Sequence, residues 1–317
     1  MNREILCNAL INTIGKLSLD EFSRLFVNEV SAIEDFYKLC NGVKAGNTIS
    51  LLFNPHRLST DNEKDDLSVY ESLQDENKVS GLARLYLYNL EHGVNNAFYA
   101  TIQRGYQNIQ YINEFPPYVA RQLYQKYSKT GDNLKILDPC SGWGGRMIGA
   151  ASLPNVEYYG FDPCTQTYNG LLKLGEWLKL FQPNFSYCVQ KLPYEDVELN
   201  DGGFDIAVTS PPYYNTEHYS DEPTNSFNRY TTFEKWVDGF YKPLICKTVR
   251  ALKDDGCFIL NVGDRKYPLS DCAFNICNAE GFKIVRIDDM LSGNGQGKEK
   301  FYLISKTPII AEQEFLF

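Results

Sequence analysis

The chain has 317 residues, 43% of them hydrophobic, enough for one large α/β unit and a smaller one. With 31 Lys and Arg against 40 Asp and Glu, the net charge of -9 excludes a surface that is basic all over, though not a local basic cleft. Nine cysteines and three histidines without a C-x-x-C pair or a ligand-type cluster argue against a zinc site and for reduced cysteines in a cytosolic chain; no apolar run has the length of a membrane span or the form of a secretion signal.

Residues 1–110 read as a mainly helical accessory or target-recognition region with more acidic than basic side chains. Ser18 or Asp20 is placed to cap a helix carrying Phe22, Leu25, Phe26 and Val30, and Asn41-Gly42 is placed to stop it. The polar stretch around NPHRLSTDNEKDD reads as a surface excursion, and VSGLARLYLYNLEHG as a further helix. Residues 111–317 read as the catalytic domain. FPPYVARQLYQKYS is a turn feeding a helix, with Pro117 suited to its first turn. From Lys135 strands and helices alternate. The strands are KILD, VEYYGF, FSYCVQ, FDIAVT, CFILNVGD, FKIVRIDDM and KFYLISKT. A long helical stretch runs through FEKWVDGFYKPLICKTVRALKDDG, and SDCAFNICNAEG is a shorter helix. This alternation predicts an α/β, Rossmann-like, mostly parallel seven-stranded sheet. The last two strands have no helix between them and are expected to form an antiparallel edge.

The first strand ends in LDPCSGWGGRM. Gly142, Gly144 and Gly145 let a backbone approach a ligand closely, and the following helix start favours an anion. The spacing is not the G-x-G-x-x-G of nicotinamide sites. Asp138, closing the strand, is placed to meet an ammonium, directly or through water. A ligand with both charges, such as the methionine part of S-adenosyl-L-methionine, fits that pair, and Cys140 lies in the same loop. Asp162, closing the second strand, is placed to grip ribose hydroxyls, with a helix cap as its other reading. Gln190, at the end of the third strand, is the best-placed adenine contact, with Asp196 as the alternative.

The fourth strand leads into TSPPYY. Proline cannot continue a central ladder, so the chain leaves the sheet there, either as a rigid turn or as the wall of a pocket for something flat. An exocyclic base amine is a poor nucleophile because its lone pair is delocalised into the ring. The Ser210 oxygen and the Pro211 carbonyl can accept its two N–H bonds, with Pro211 and Pro212 fixing their direction. Tyr213 can stack on an extruded base, Tyr214 can flank it, and His218 follows in the loop. Arg146, Arg229, Lys235, Arg265, Lys266, Lys298 and Lys300 sit in loops or at element ends from which they can reach phosphate.

Taken together, DPCSGWGG, GFDP and TSPPY resemble the motifs of the amino-group DNA methyltransferases, which methylate adenine N6 or cytosine N4; the match covers roughly residues 110–307. The resemblance implies a Rossmann-like S-adenosyl-L-methionine-dependent methyltransferase fold with that cofactor and no metal. It implies Asp138, Gly142, Gly144 and Asp162 as cofactor residues, Ser210-Pro211-Pro212-Tyr213 as the catalytic motif, and Phe115 as a residue closing over the methionine end. Gln190 stands where the family usually has Asp or Ser. The implied partner is duplex DNA with a flipped base, or single-stranded DNA, with a homodimer or partner subunit in reserve and no membrane. The implied setting is bacterial cytoplasm or nucleoid, or a phage genome. Adenine and cytosine both stay open, as do restriction–modification, phage self-protection and epigenetic marking. An RNA base methyltransferase, or a protein or small-molecule N-methyltransferase, is the alternative.

Overall fold

The computed structural model describes residues 3–62, 68–72, 74–94, 101, 114–128, 133–287 and 299–306. Its centre is a seven-stranded sheet: β1 (Leu134–Asp138), β2 (Val156–Phe161), β3 (Phe185–Gln190), β4 (Phe204–Thr209), β5 (Leu252–Gly263), β6 (Lys283–Arg286) and β7 (Glu299–Ser305). The order across the sheet is β3-β2-β1-β4-β5-β7-β6. Strands β1 to β5 pair in parallel, and β7 pairs antiparallel with both β5 and β6. The Rossmann-like, mostly parallel sheet read from the sequence is present. The antiparallel strand is inserted one place in from the edge, which β6 occupies.

The central strands have apolar side chains on both faces because both faces are covered. Ile136 of β1 enters a cluster containing Met147, Leu171 and Leu174, whereas its neighbour Leu137 enters a second cluster with Leu244, Val249 and Ala273. This is the burial expected of parallel strands with helices on each side. The first cluster also takes in Phe22, Phe36, Leu39, Ile49 and Leu51, so the N-terminal helices share a core with one face of the sheet.

Two sequence expectations are corrected. Ser18 does cap a helix, through reciprocal bonds with Glu21, but that helix covers only Leu19–Ser23. Asn28 then caps a second helix, Glu29–Cys40, by accepting from Ser31 N–H. Leu25 and Val30 consequently fall outside the buried stripe and are exposed. The other correction is at KDDG, assigned above to a helix. The helix Lys242–Ala251 ends earlier, and Leu252–Gly263 is a single long strand that begins with Leu252 paired to Phe204. A π-type turn at Val237–Tyr241 separates it from the short helix Phe233–Trp236. The predicted helix after Phe115 is observed as Pro117–Tyr127.

Candidate active site

The strand order reverses beside β1. Strands β2 and β3 lie on one side of it and β4 on the other. Such a reversal leaves a crevice beyond the carboxyl ends, where α/β proteins place ligands. The glycine loop follows β1 and the TSPPYY segment follows β4, so one flanks each side of the crevice. Thr209 joins them. Its hydroxyl donates to Asp138 Oδ1 at 3.1 Å and accepts from the Cys140 N–H at 3.2 Å.

Asp138 is fully buried. Its Oδ2 accepts from Arg146 Nε at 2.8 Å and from the Tyr158 hydroxyl at 2.7 Å, and its Oδ1 also accepts from the Cys140 N–H at 3.3 Å. Both oxygens are engaged, so Arg146 takes the direct contact that the sequence reserved for an ammonium. Arg146 is itself buried, donates to the Cys140 carbonyl, and lies 5.1 Å from the centre of the Phe115 ring. It clips the glycine loop from inside and is not a phosphate contact, contrary to expectation.

The loop needs its glycines for two different reasons. Gly144 has φ of +101° at the start of the helix Gly145–Ala151, a conformation L side chains rarely adopt. At Gly145 a Cβ would lie 2.2 Å from the Phe115 carbonyl oxygen. Phe115 is thus seated against the loop, and its ring meets Phe301 edge-on at 6.1 Å.

Asp162 follows β2. Its Oδ2 accepts from the Gly142 N–H at 3.1 Å and its Oδ1 from the Cys164 N–H at 3.0 Å. Burial pushes its carboxyl up to about 7 against the opposing effect of those N–H bonds, and the charge of Asp138 adds to the rise. Gln190 is exposed, and among the described residues its amide reaches only Cys188 Sγ at 3.9 Å. Its backbone carbonyl accepts the Asp162 N–H at 3.2 Å. Asp196 is engaged by both Nη atoms of Arg229 at 2.9 Å.

Two carboxylates escaped the sequence reading. Glu195, beside Asp196, has a side chain only 4% exposed; Oε1 accepts from Arg229 at 2.8 Å, while Oε2 is buried and has no hydrogen-bond partner among the described residues. Its charge reaches the Cys140 thiol, which burial pushes far up. Glu114, beside Phe115, is 5% exposed; Oε2 accepts from Arg57 and from the Ser50 hydroxyl, each at 2.5 Å, and the buried Oε1 has no hydrogen-bond partner among the described residues. Burial raises both carboxyls, against the pull of Arg57 on Glu114 and of Arg229 on Glu195. The available signal was that each adjoins a residue already singled out.

Beyond β4, Ser210 is half-buried and Pro211 buried. Among the described residues none hydrogen-bonds the Ser210 hydroxyl or the Pro211 carbonyl. The turn is closed further on, where the Tyr213 carbonyl accepts from Thr216 N–H at 3.3 Å and Oγ1 at 2.8 Å. Tyr213 and Tyr214 are both buried, in the second core cluster. The ring face that base stacking asks of Tyr213 is covered in this structure. Tyr214 does not flank an open pocket: its ring packs among Phe227, Phe233, Trp236 and Tyr267 at 5.2–6.0 Å. Its φ of +57° is held by that packing. The His218 ring lies 3.1 Å from Asp221.

The remaining basic candidates divide. Arg229 is taken by Glu195 and Asp196, and Lys300 by Asp264 at 2.9 Å. Lys235, Arg265 and Lys266 are exposed at the carboxyl edge; Lys298 lies outside the described residues.

A scan against protein-family profiles and a search of curated proteins find no match. Solved structures offer similar chains. A TehB-like SAM-dependent methyltransferase from Corynebacterium glutamicum is 18% identical with a TM-score of 0.40, over 66% of this chain and 96% of that one. A geranyl diphosphate methyltransferase in complex with GPP and sinefungin is 11% identical with a TM-score of 0.38, over 58% and 74%. The [4+2]-cyclase SpnF is 14% identical with a TM-score of 0.39, over 53% and 58%. At these scores and identities the likenesses carry no weight for substrate or chemistry, which must be read from the chain's own side chains.

Proposed function

We propose that the chain is a methyltransferase acting on an exocyclic amine of a DNA base, adenine N6 or cytosine N4, with S-adenosyl-L-methionine as donor. The observation that carries this reading is the pair of acceptors at the end of β4, the Ser210 hydroxyl and the Pro211 carbonyl, which no described residue satisfies.

The donor side fits the cofactor by its own chemistry. At Gly142, with φ of +54° and no atom within 4 Å of where a Cβ would sit, the loop leaves bare backbone for a ligand, while Gly144 and Gly145 let Leu174 and Phe115 pack behind it. Asp162 would take the ribose hydroxyls, exchanging its bond to the Gly142 N–H for them. The open oxygens of Glu114 and Glu195 suit the two cationic or N–H-bearing ends of the molecule, the ammonium and the adenine amine. Bound there, the cofactor supplies a methyl group that is already electrophilic, so the protein needs no nucleophile of its own. The protein's part is then alignment. Ser210 and the Pro211 carbonyl accept the two N–H bonds of the target amine and favour a more tetrahedral nitrogen, and Pro211 and Pro212 keep that geometry stiff. A proton leaves the nitrogen for solvent once the methyl group has been transferred; the neutral Ser210 hydroxyl orients the N–H as a hydrogen-bond acceptor and does not hold the proton.

Residues 1–110, with or without a partner subunit, are proposed to contribute to target recognition, and the exposed Lys235, Arg265 and Lys266 to meet phosphate. The test is transfer of labelled methyl from the donor to unmodified duplex DNA, single-stranded DNA and RNA, followed by digestion to nucleosides. N6-methyladenine or N4-methylcytosine in DNA is expected. Label in RNA alone, or in none of the three by a protein that binds the donor, overturns the assignment.

A further inference from the structure

The segment that follows the TSPPYY motif does not stay on the target side. It folds back across the donor side and touches it at three places. The Glu222 carboxylate accepts from the Thr165 N–H at 2.8 Å and from the Thr165 hydroxyl at 2.9 Å, at the start of the helix Thr165–Phe181. Two residues on, the Thr224 hydroxyl donates to the Pro163 carbonyl at 3.4 Å. Upstream, the Tyr219 ring packs against Trp143, between Gly142 and Gly144, with centroids 5.8 Å apart. Residues 163–165 directly follow Asp162, so the segment spans from the glycine loop to the ribose-side acid. Glu217 and His218 also pair antiparallel with Asn62 and Asp61, tying the same segment to the N-terminal region.

Glu222 is the strongest of these ties. A carboxylate receiving both donors of one threonine at a helix start makes two charge-assisted bonds there. Among the described residues, Lys191 adds a bond to the same threonine hydroxyl at 2.6 Å. The other anchors are a long hydroxyl bond, a ring contact and a two-residue ladder. Release of Glu222 therefore frees the middle of the strap while its ends stay attached.

We infer that Glu222 is a positioning residue that latches the target-side segment 215–225 over the donor cleft, so that donor occupancy and the setting of the Ser210 loop are linked. This inference rests on the donor site proposed above. A donor must enter or leave past the strap, and a strap closed on a bound donor holds the turn that follows Pro212 in place. The contact is made through Thr165, and Glu222 touches no reacting atom.

The experiment uses the full chain, sinefungin as probe, and the variants Glu222→Ala, Glu222→Gln and Thr165→Val. Stopped-flow displacement reads the probe's dissociation rate; hydrogen exchange reads residues 215–225 with and without probe. Glu222→Ala is expected to speed dissociation by about 5–30-fold with a smaller change in association. It should also abolish the probe's protection of 215–225, while exchange in the helix Pro117–Tyr127 stays as in the parent. Glu222→Gln, which keeps an acceptor, should recover part of both effects, and Thr165→Val should give an intermediate loss. A dissociation rate within twofold of the parent in folded Glu222→Ala, with protection kept, overturns the latch. If the parent protein fails to bind the probe, the donor-site reading falls; the latch is then judged by exchange in the unliganded protein, where faster exchange of 215–225 in Glu222→Ala supports it and unchanged exchange refutes it.

Discussion

The two walls of the crevice are built on opposite plans. On the donor side the two acids that close the strands are already occupied by the protein itself: Asp138 holds Arg146, Tyr158, Thr209 and the Cys140 N–H, and Asp162 holds two backbone N–H groups. On the target side the Ser210 hydroxyl and the Pro211 carbonyl have no such partner among the described residues, and the segment is shaped by prolines and packed rings. A loop rich in glycine has no stiffness of its own, so charges and hydrogen bonds must supply it. A segment of two prolines is stiff without them, and can leave its acceptors open for a substrate. The difference separates residues whose loss should damage the fold from residues whose loss should damage only chemistry.

The largest effect that would break this comparison is at Arg146. Arg146→Met removes one partner of a buried ion pair and leaves the buried Asp138 charge without its counter-charge, so a loss of about 3–5 kcal/mol in unfolding free energy is expected. Urea titration measures it. A variant within 1 kcal/mol of the parent would mean that the glycine loop is not held by this network. Ser210→Ala should behave in the opposite way. It keeps the size, removes the acceptor, and should leave the urea midpoint nearly unchanged while slowing single-turnover methyl transfer by roughly 10–1000-fold, the range of a lost transition-state hydrogen bond. Full activity in Ser210→Ala would leave the Pro211 carbonyl and alignment as the only contributions from this wall.

What the sequence made legible follows the same division. The strands were readable because burial on both faces gives uninterrupted apolar runs such as IAV in β4, and the turn residues that end them are local. The place of Ser210 and Pro211 at the exit from β4 was readable for the same reason: the apolar strand and the prolines that end it lie in the stretch itself. Arg146 was misread as a charge able to reach phosphate because its burial depends on Asp138 and Phe115, which sit on other elements. Glu195 was missed by one position. The acid after β3 was sought at Asp196, whose carboxylate is spent on Arg229, while its neighbour carries the buried open oxygen. The two aromatic residues that follow the prolines looked like a binding surface, yet both lie in the second core cluster, and Tyr214 is covered by Phe227, Phe233 and Trp236 from the segment that follows it and by Tyr267 from beyond β5.

A smaller and pH-dependent effect belongs to Asp162. Its carboxyl is raised from an ordinary value near 4 to about 7 by burial. Between those values the folded protein keeps a proton that the unfolded chain releases, so this group's contribution to stability falls as pH rises through that window. Ribose hydroxyls need the ionised form as acceptor, so donor affinity should move the other way and weaken as pH falls below about 7. Calorimetry of sinefungin binding between pH 6 and 8.5 is expected to show this slope in the parent. Asp162→Asn should flatten it and weaken binding at pH 8, by about 1.5–3 kcal/mol for the lost charged acceptor. A slope that persists in Asp162→Asn would place the titrating group elsewhere.

The smallest effect sharpens the account of the target wall. Tyr214 sits at φ +57°, where an L side chain pays a backbone cost of about 1 kcal/mol that glycine avoids. Removing its ring must destabilise the protein whichever small residue replaces it, since the ring is packed among four others. The informative quantity is the difference between two truncations. At an ordinary position Ala is more stable than Gly, because glycine gives the unfolded chain more freedom. Here the order should invert, with Tyr214→Gly more stable than Tyr214→Ala by about 1 kcal/mol. Both lose the same packing, so the ring cancels and the backbone alone is read. Paired urea titrations at one pH suffice. If Ala proves the more stable, the left-handed turn after Pro212 is not a fixed part of the native wall, and the stiffness assigned to this side would have to come from the prolines alone.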